Sequence, residues 1–109
     1  MTGAPAQLRS DLEERLVALD GISIAPWKDT QLITVRFRGK EFAHFHGDDI
    51  LDIRLSQKII REEQLSRDVS LKIHPNRSKN SIWIGVAFTN EAEVDHLVHL
   101  VKLSCASLG

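Results

Sequence analysis

The chain has few of the features that narrow a function by themselves. It carries one cysteine in 109 residues, Cys105, so no internal disulfide can form, and a reducing compartment is the natural expectation. Its formal net charge is −1. A dedicated nucleic-acid binder shows a strong basic excess, so binding of nucleic acid through Arg36, Arg54, Lys72 and Trp83 ranks last among the readings considered. No apolar run approaches the roughly 20 residues needed to span a membrane. Met1 to Pro5 shows no basic segment followed by an apolar one, so no signal peptide is expected and the expected location is the cytosol. Gly47 and Gly85 stand apart from other glycines, which leaves no glycine-rich phosphate loop. Repeats, low-complexity tracts and linkers are missing too, so residues 1–109 read as one domain.

Hydrophobic residues make up 42% of the chain and charged residues 27%, enough apolar content for one core without staples. Leu8, Leu12, Leu16 and Leu19 recur at helical spacing and predict a helix over 6–19, ended by Asp20-Gly21 with Gly21 left-handed. Ile22 to Ala25 predicts a short edge strand closed by Pro26. Alternation predicts strands at 31–37, 41–46, 50–55, 69–74 and 81–88, with turns at Arg38-Gly39-Lys40 and Gly47-Asp48-Asp49. Ser56 to Glu63 reads as a short helix. A final helix opens at Asn90, with Glu93 three positions on in a near capping box, and carries Val94, Leu97, Val98, Val101 and Cys105 on its buried stripe. The predicted fold is an α+β two-layer sandwich, an antiparallel sheet with the N- and C-terminal helices packed on one face.

The apolar pattern also sets the strand registers, since a slip of one residue turns a whole set over. It pairs Phe37 with Glu41, Val35 with Ala43, His44 with Asp52 and Phe42 with Arg54. The face away from the helices then gathers Arg36, Phe42, His44, His46, Asp52, Arg54, His74 and Trp83, with Thr34 and Lys72 beside them. A tryptophan among cations on a face that should be plainly polar marks a contact surface, although antiparallel sheets often leave one polar face in water.

His44 and His46 point the same way on one strand, and with Asp48, Asp52 or His74 they have the chemistry to hold a divalent metal such as zinc. No cysteine pair supports that, and the reading taken is a His44–Asp52 cross-strand pair with Phe42 stacked on Arg54, and no metal or other cofactor. Cys105 falls on an apolar stripe, where a small buried hydrophobe is expected rather than a nucleophile. The loop from Pro75 to Asn80 is polar and basic, with an anion contact as its functional reading and a solvated loop as the plainer one. His96 and His99 read as surface residues. The function expected is therefore a non-enzymatic interaction or ligand-binding domain that uses the open sheet face toward a protein or small molecule, with no residue assigned as catalytic. The alternative is a metal-dependent or acid–base enzyme centred on His44, His46, Asp52 and His74.

From Phe42 to Leu103 the chain resembles a small family known as the luciferase domain. The resemblance rests on His46-Gly47-Asp48, on Leu51-Asp52-Ile53-Arg54-Leu55, on His74, on Ser81-Ile82-Trp83-Ile84 and on the closing helix after Asn90. Ile82 stands where the family pattern has glycine. In element order the chain is also similar, more distantly, to the MmcQ/YjbR-like proteins with their CyaY-like sandwich. Both resemblances imply an α+β fold, and neither implies catalytic residues that can be carried over.

Overall fold

The computed structural model describes residues 5–26 and 32–108; Gln31 and the N-terminal stretch read above for a signal peptide lie outside them, apart from Pro5. The elements are α1 (Pro5–Val17), β1 (Ile22–Pro26), β2 (Ile33–Phe37), β3 (Lys40–Phe45), β4 (Ile50–Arg54), α2 (Gln57–Glu62), α3 (Asp68–Ile73), β5 (Trp83–Ala87) and α4 (Glu91–Leu108). The strands form one antiparallel sheet in chain order, β1-β2-β3-β4-β5. The expected α+β sandwich is what the chain builds.

One face of the sheet carries the core. Leu8, Leu12 and Leu16 of α1 and Val94, Leu97, Val98, Leu100 and Val101 of α4 are buried with Val35, Ala43, Phe45, Leu51, Ile53 and Ile84 of the strands. Each of these side chains other than Ala43 contributes roughly 1.5–3 kcal/mol by leaving water. The α4 start is fixed by two side chains: Asn90 accepts the Glu93 N–H at 2.9 Å, and Glu93 accepts the Thr89 N–H at 2.9 Å. Gly21 adopts φ 84°, and a Cβ there would lie 2.9 Å from the Phe37 ring, so both conformation and space require glycine.

Three expectations are corrected. The first concerns the β2–β3 hairpin. Its turn is the two residues Arg38 and Gly39, both at positive φ, so Phe37 pairs with Lys40 and not Glu41. A bulge between Val35 and Arg36 then restores the expected Val35–Ala43 pairing, with Phe42 as the surplus residue. Phe42 is fully buried among the core side chains and does not reach the opposite face or stack on Arg54.

The second correction is residues 69–74, which form α3 and its C-cap, not a strand. Val69 and Ile73 fall four apart on one side of this helix and pack where a Cβ on Gly85 would sit, 3.4 and 3.1 Å away. Three apolar residues spaced by two fit a strand and a short helix equally well, and β5 already occupies the place beside β4.

The third follows from the second. The face away from α1 and α4 is not open throughout, because α3 lies on it above β5. Three outer backbone groups of β5 are also taken by side chains. The Ser70 hydroxyl accepts the Gly85 N–H at 2.6 Å, Ser81 accepts the Trp83 N–H at 3.1 Å, and Arg77 donates to the Trp83 carbonyl at 3.3 Å.

Candidate functional site

A row of residues crosses the sheet on the face away from the core: Thr34, His44, Asp52 and Gly85 are successive cross-strand partners from β2 to β5. Gly85 leaves a gap at the end of this row, and α3 fills it. Because α3 is seated there, its C-cap His74 and the following turn are delivered to Asp52. The His74 N–H bonds the Ser70 carbonyl at 2.7 Å and the Arg77 N–H bonds the His74 carbonyl at 3.0 Å, which fixes that turn.

Asp52 is fully buried. Burial alone would raise its carboxyl pKa, but Arg77 and His44 more than reverse this and hold it far below the ordinary carboxylate range. Arg77 grips it with two parallel bonds, Nη1 to Oδ1 at 2.7 Å and Nη2 to Oδ2 at 2.8 Å. His44 Nε2 donates to Oδ2 at 3.1 Å. His74 Nε2 stands 3.7 Å from the same oxygen, beyond hydrogen-bond distance.

The bulge at Phe42 has a further effect here. Three positions apart, Glu41 and His44 would face opposite sides of a regular strand; the surplus residue puts them on one side. Glu41 Oε2 lies 3.6 Å from His44 Nδ1. Both His44 Nδ1 and His74 Nε2 are buried without a hydrogen-bond partner, a condition that costs about 1–3 kcal/mol each and that native structures rarely keep without a reason. Burial, with the Arg77 charge as second cause, lowers the His74 pKa, which favours its neutral ring.

The remaining side chains of the face surround this pair. The Trp83 ring lies 5.6 Å from His44, and His46 meets His74 edge-on at 5.5 Å. Trp83 is half-buried and its register partner Arg54 is exposed. Arg36 donates from Nε at 3.3 Å to the hydroxyl of Thr34, the cross-strand partner of His44. Lys72 is exposed on α3, and Asp48 is drawn off to α1, where Arg9 holds it at 3.1 Å. His44, His46 and Trp83 thus share one side as the alternation implied; His74 joins them from the C-cap of α3 and not from the expected strand, and Phe42 does not join them. Arg77 and Glu41 were not singled out as site residues. Arg77 lies in the basic loop for which an anion contact was weighed, and its anion is the chain's own Asp52. Glu41 gave no signal, since only the bulge brings it round.

His44, Asp52 and His74 each offer a ligand atom, all within 4.8 Å of one another. These residues fall inside the segment, residues 39–104, that matches the model of the luciferase-domain family. The chain belongs to the luciferase-domain family. The match takes in β3, β4, β5 and most of α4, and so every member of the Asp52 cluster, but leaves out α1, β1 and β2 with Arg36. No curated protein and no solved structure matches the chain. Among the described residues no helix is long and apolar enough to cross a membrane.

Proposed function

We propose that this luciferase-domain chain is a ligand-binding domain whose site is the Asp52 cluster with His44, His46, His74 and Trp83. One observation carries the reading: two buried ring nitrogens, on His44 and His74, have no hydrogen-bond partner within the protein, although Asp52 between them is held by Arg77 and His44. A fully satisfied polar cluster would be explained by stability alone. Here a buried, doubly bonded Asp52–Arg77 pair orients His44 and lies beside His74, and each imidazole keeps one buried nitrogen unpaired. The neighbouring indole supplies an apolar wall of the kind small-molecule sites combine with a few convergent polar groups.

A second reading, an acid–base enzyme, draws on the His44–Asp52 contact. A carboxylate that orients one ring nitrogen leaves the other to exchange a proton with a substrate. The cytosolic location and the wider similarity to MmcQ/YjbR-like proteins belong to the same proposal, the latter on element order alone.

Screening a fragment library by backbone-amide, indole and imidazole NMR tests the site. Binders should perturb Trp83, His44, His46 and the 74–77 turn together. Binders that move only the groove between α1 and α4, lined by Leu8, Asp11, Arg15 and Asp95, would place ligand binding elsewhere and end the reading.

A further inference from the structure

We infer that the Asp52 cluster is a mononuclear site for a divalent transition metal of the zinc class, with His44 Nε2, His74 Nε2 and Asp52 Oδ2 as its protein ligands. This rests on the site reading above and names its ligand.

Three observations converge. The first is spacing. A four-coordinate zinc with donors about 2.0–2.2 Å away sets those donors roughly 3.3–3.5 Å apart. The two separations to Asp52 Oδ2 are 3.1 Å from His44 Nε2 and 3.7 Å from His74 Nε2, on either side of that value. The three ligand atoms all lie within 4.8 Å of one another, so the two imidazoles need only draw together around an ion beside Asp52 Oδ2.

The second is the pair of unpartnered nitrogens. His44 Nδ1 lies 3.6 Å from Glu41 Oε2 and has no hydrogen-bond partner. A metal on Nε2 would fix the ring proton on Nδ1, pointing at Glu41. Metal-ligating imidazoles typically donate their other N–H to a carboxylate in this way. His74 Nε2 gains a partner in the same event. Both unsatisfied atoms are explained by one ion.

The third is the surroundings of Asp52. Ligating carboxylates are themselves hydrogen-bonded, and Arg77 supplies that support from behind. Its charge also offsets the only ligand carboxylate. The affinity then comes mainly from the imidazoles, which selects zinc, cobalt, nickel or copper over magnesium and calcium. Three protein ligands leave a fourth position for water or a ligand, the pattern of reactive rather than structural zinc sites.

The test uses the whole chain and metal salts alone. Zinc titration followed by imidazole NMR should shift the His44 and His74 ring signals at one equivalent, with His96 and His99 unmoved. Cobalt(II) should give the intense visible bands of low-coordinate nitrogen and oxygen ligation. His74→Ala should weaken binding at least about tenfold, and Glu41→Gln, which touches no metal, should weaken it by about ten- to a hundredfold while the fold is kept. No His44 or His74 response at millimolar zinc overturns the assignment, as does one-equivalent binding that survives His74→Ala and disappears in His96→Ala. Fragments that bind beside Trp83 without any zinc response at His44 and His74 overturn the metal alone. Failure of both overturns the site reading with it.

Discussion

The chain holds two clusters of the same composition, two histidines and one carboxylate, and they differ in almost everything else. Around Asp52 the carboxylate is fully buried, an arginine clamps it, and three strands and a helix fix the imidazoles. Around Glu63, at the C-cap of α2, His96 and His99 approach Oε1 from α4 at 3.4 and 3.3 Å. Those rings are 42% and 53% exposed, and their carboxylate 25%. Water can supply whatever that group lacks, so its contacts are worth little. Asp52 itself is shut from water, so each missing or extra partner of its carboxylate is felt in full, although the His74 side chain beside it is 39% exposed. Composition alone does not distinguish the two; burial of the carboxylate does.

The sharpest way to break this contrast is Arg77→Ala. It leaves a buried carboxylate without its clamp and should cost about 3–5 kcal/mol in urea unfolding. A cost below about 1 kcal/mol would mean that Asp52 is solvated and the contrast false. Next, Gly85→Val presses a side chain into the space used by Val69 and Ile73 and should cost about 1–3 kcal/mol. In ring NMR of that variant His74 should lose its contact with His46 while His96 and His99 stay as they were.

Acid provides a graded test. The His74 pKa is lowered by burial, so below about 6.5 the unfolded chain takes a proton that the native ring resists, and stability falls as pH drops. Asp52 is depressed, so its contribution is complete above about pH 5 and is lost as pH falls through its unfolded value of about 3.9 and below. Glu93, lowered by its bonds from Thr89, adds to the same low-pH loss. Unfolding midpoints measured from pH 7 to pH 3 should therefore decline throughout, and Asp52→Asn should flatten the lower part. A wild-type profile that stays flat would contradict both shifts. The smallest effect is expected at the exposed cluster, where Glu63→Gln should change stability by less than about 0.5 kcal/mol at pH 7.

Much of the fold was legible because one face of the sheet is buried. That burial fixes the phase of Val35, Ala43, Leu51, Ile53 and Ile84, and with it the His44–Asp52 pairing and the common side of His44 and His46; His74 reaches that side through α3 and not through alternation. Phe42 was misread because alternation assumes an uninterrupted strand. The two-residue turn at Arg38-Gly39 and the bulge each shift the register by one and cancel beyond Val35, so the pattern on either side looks regular. Residues 69–74 were misread because a six-residue apolar pattern is too short to tell a period of two from one of 3.6. Arg77 and Glu41 escaped because each meets the cluster through a contact that no local pattern encodes: one reaches round the sheet margin from a loop, the other depends on the bulge. The candidate site was therefore half visible, in its imidazoles and Asp52, and half hidden, in the groups that hold them.

The side-chain bonds along β5 bear on how copies of this chain can meet. Ser70, Ser81 and Arg77 occupy three backbone groups, at Trp83 and Gly85, that a sixth strand would need, so that margin resists recruitment of a neighbouring chain. Growth by strand addition is left to the β1 side, where Pro26 offers no amide hydrogen to an incoming strand. A fold that carries its polar cluster next to a sheet margin has thereby made that margin the poorest place on the molecule to start a fibre.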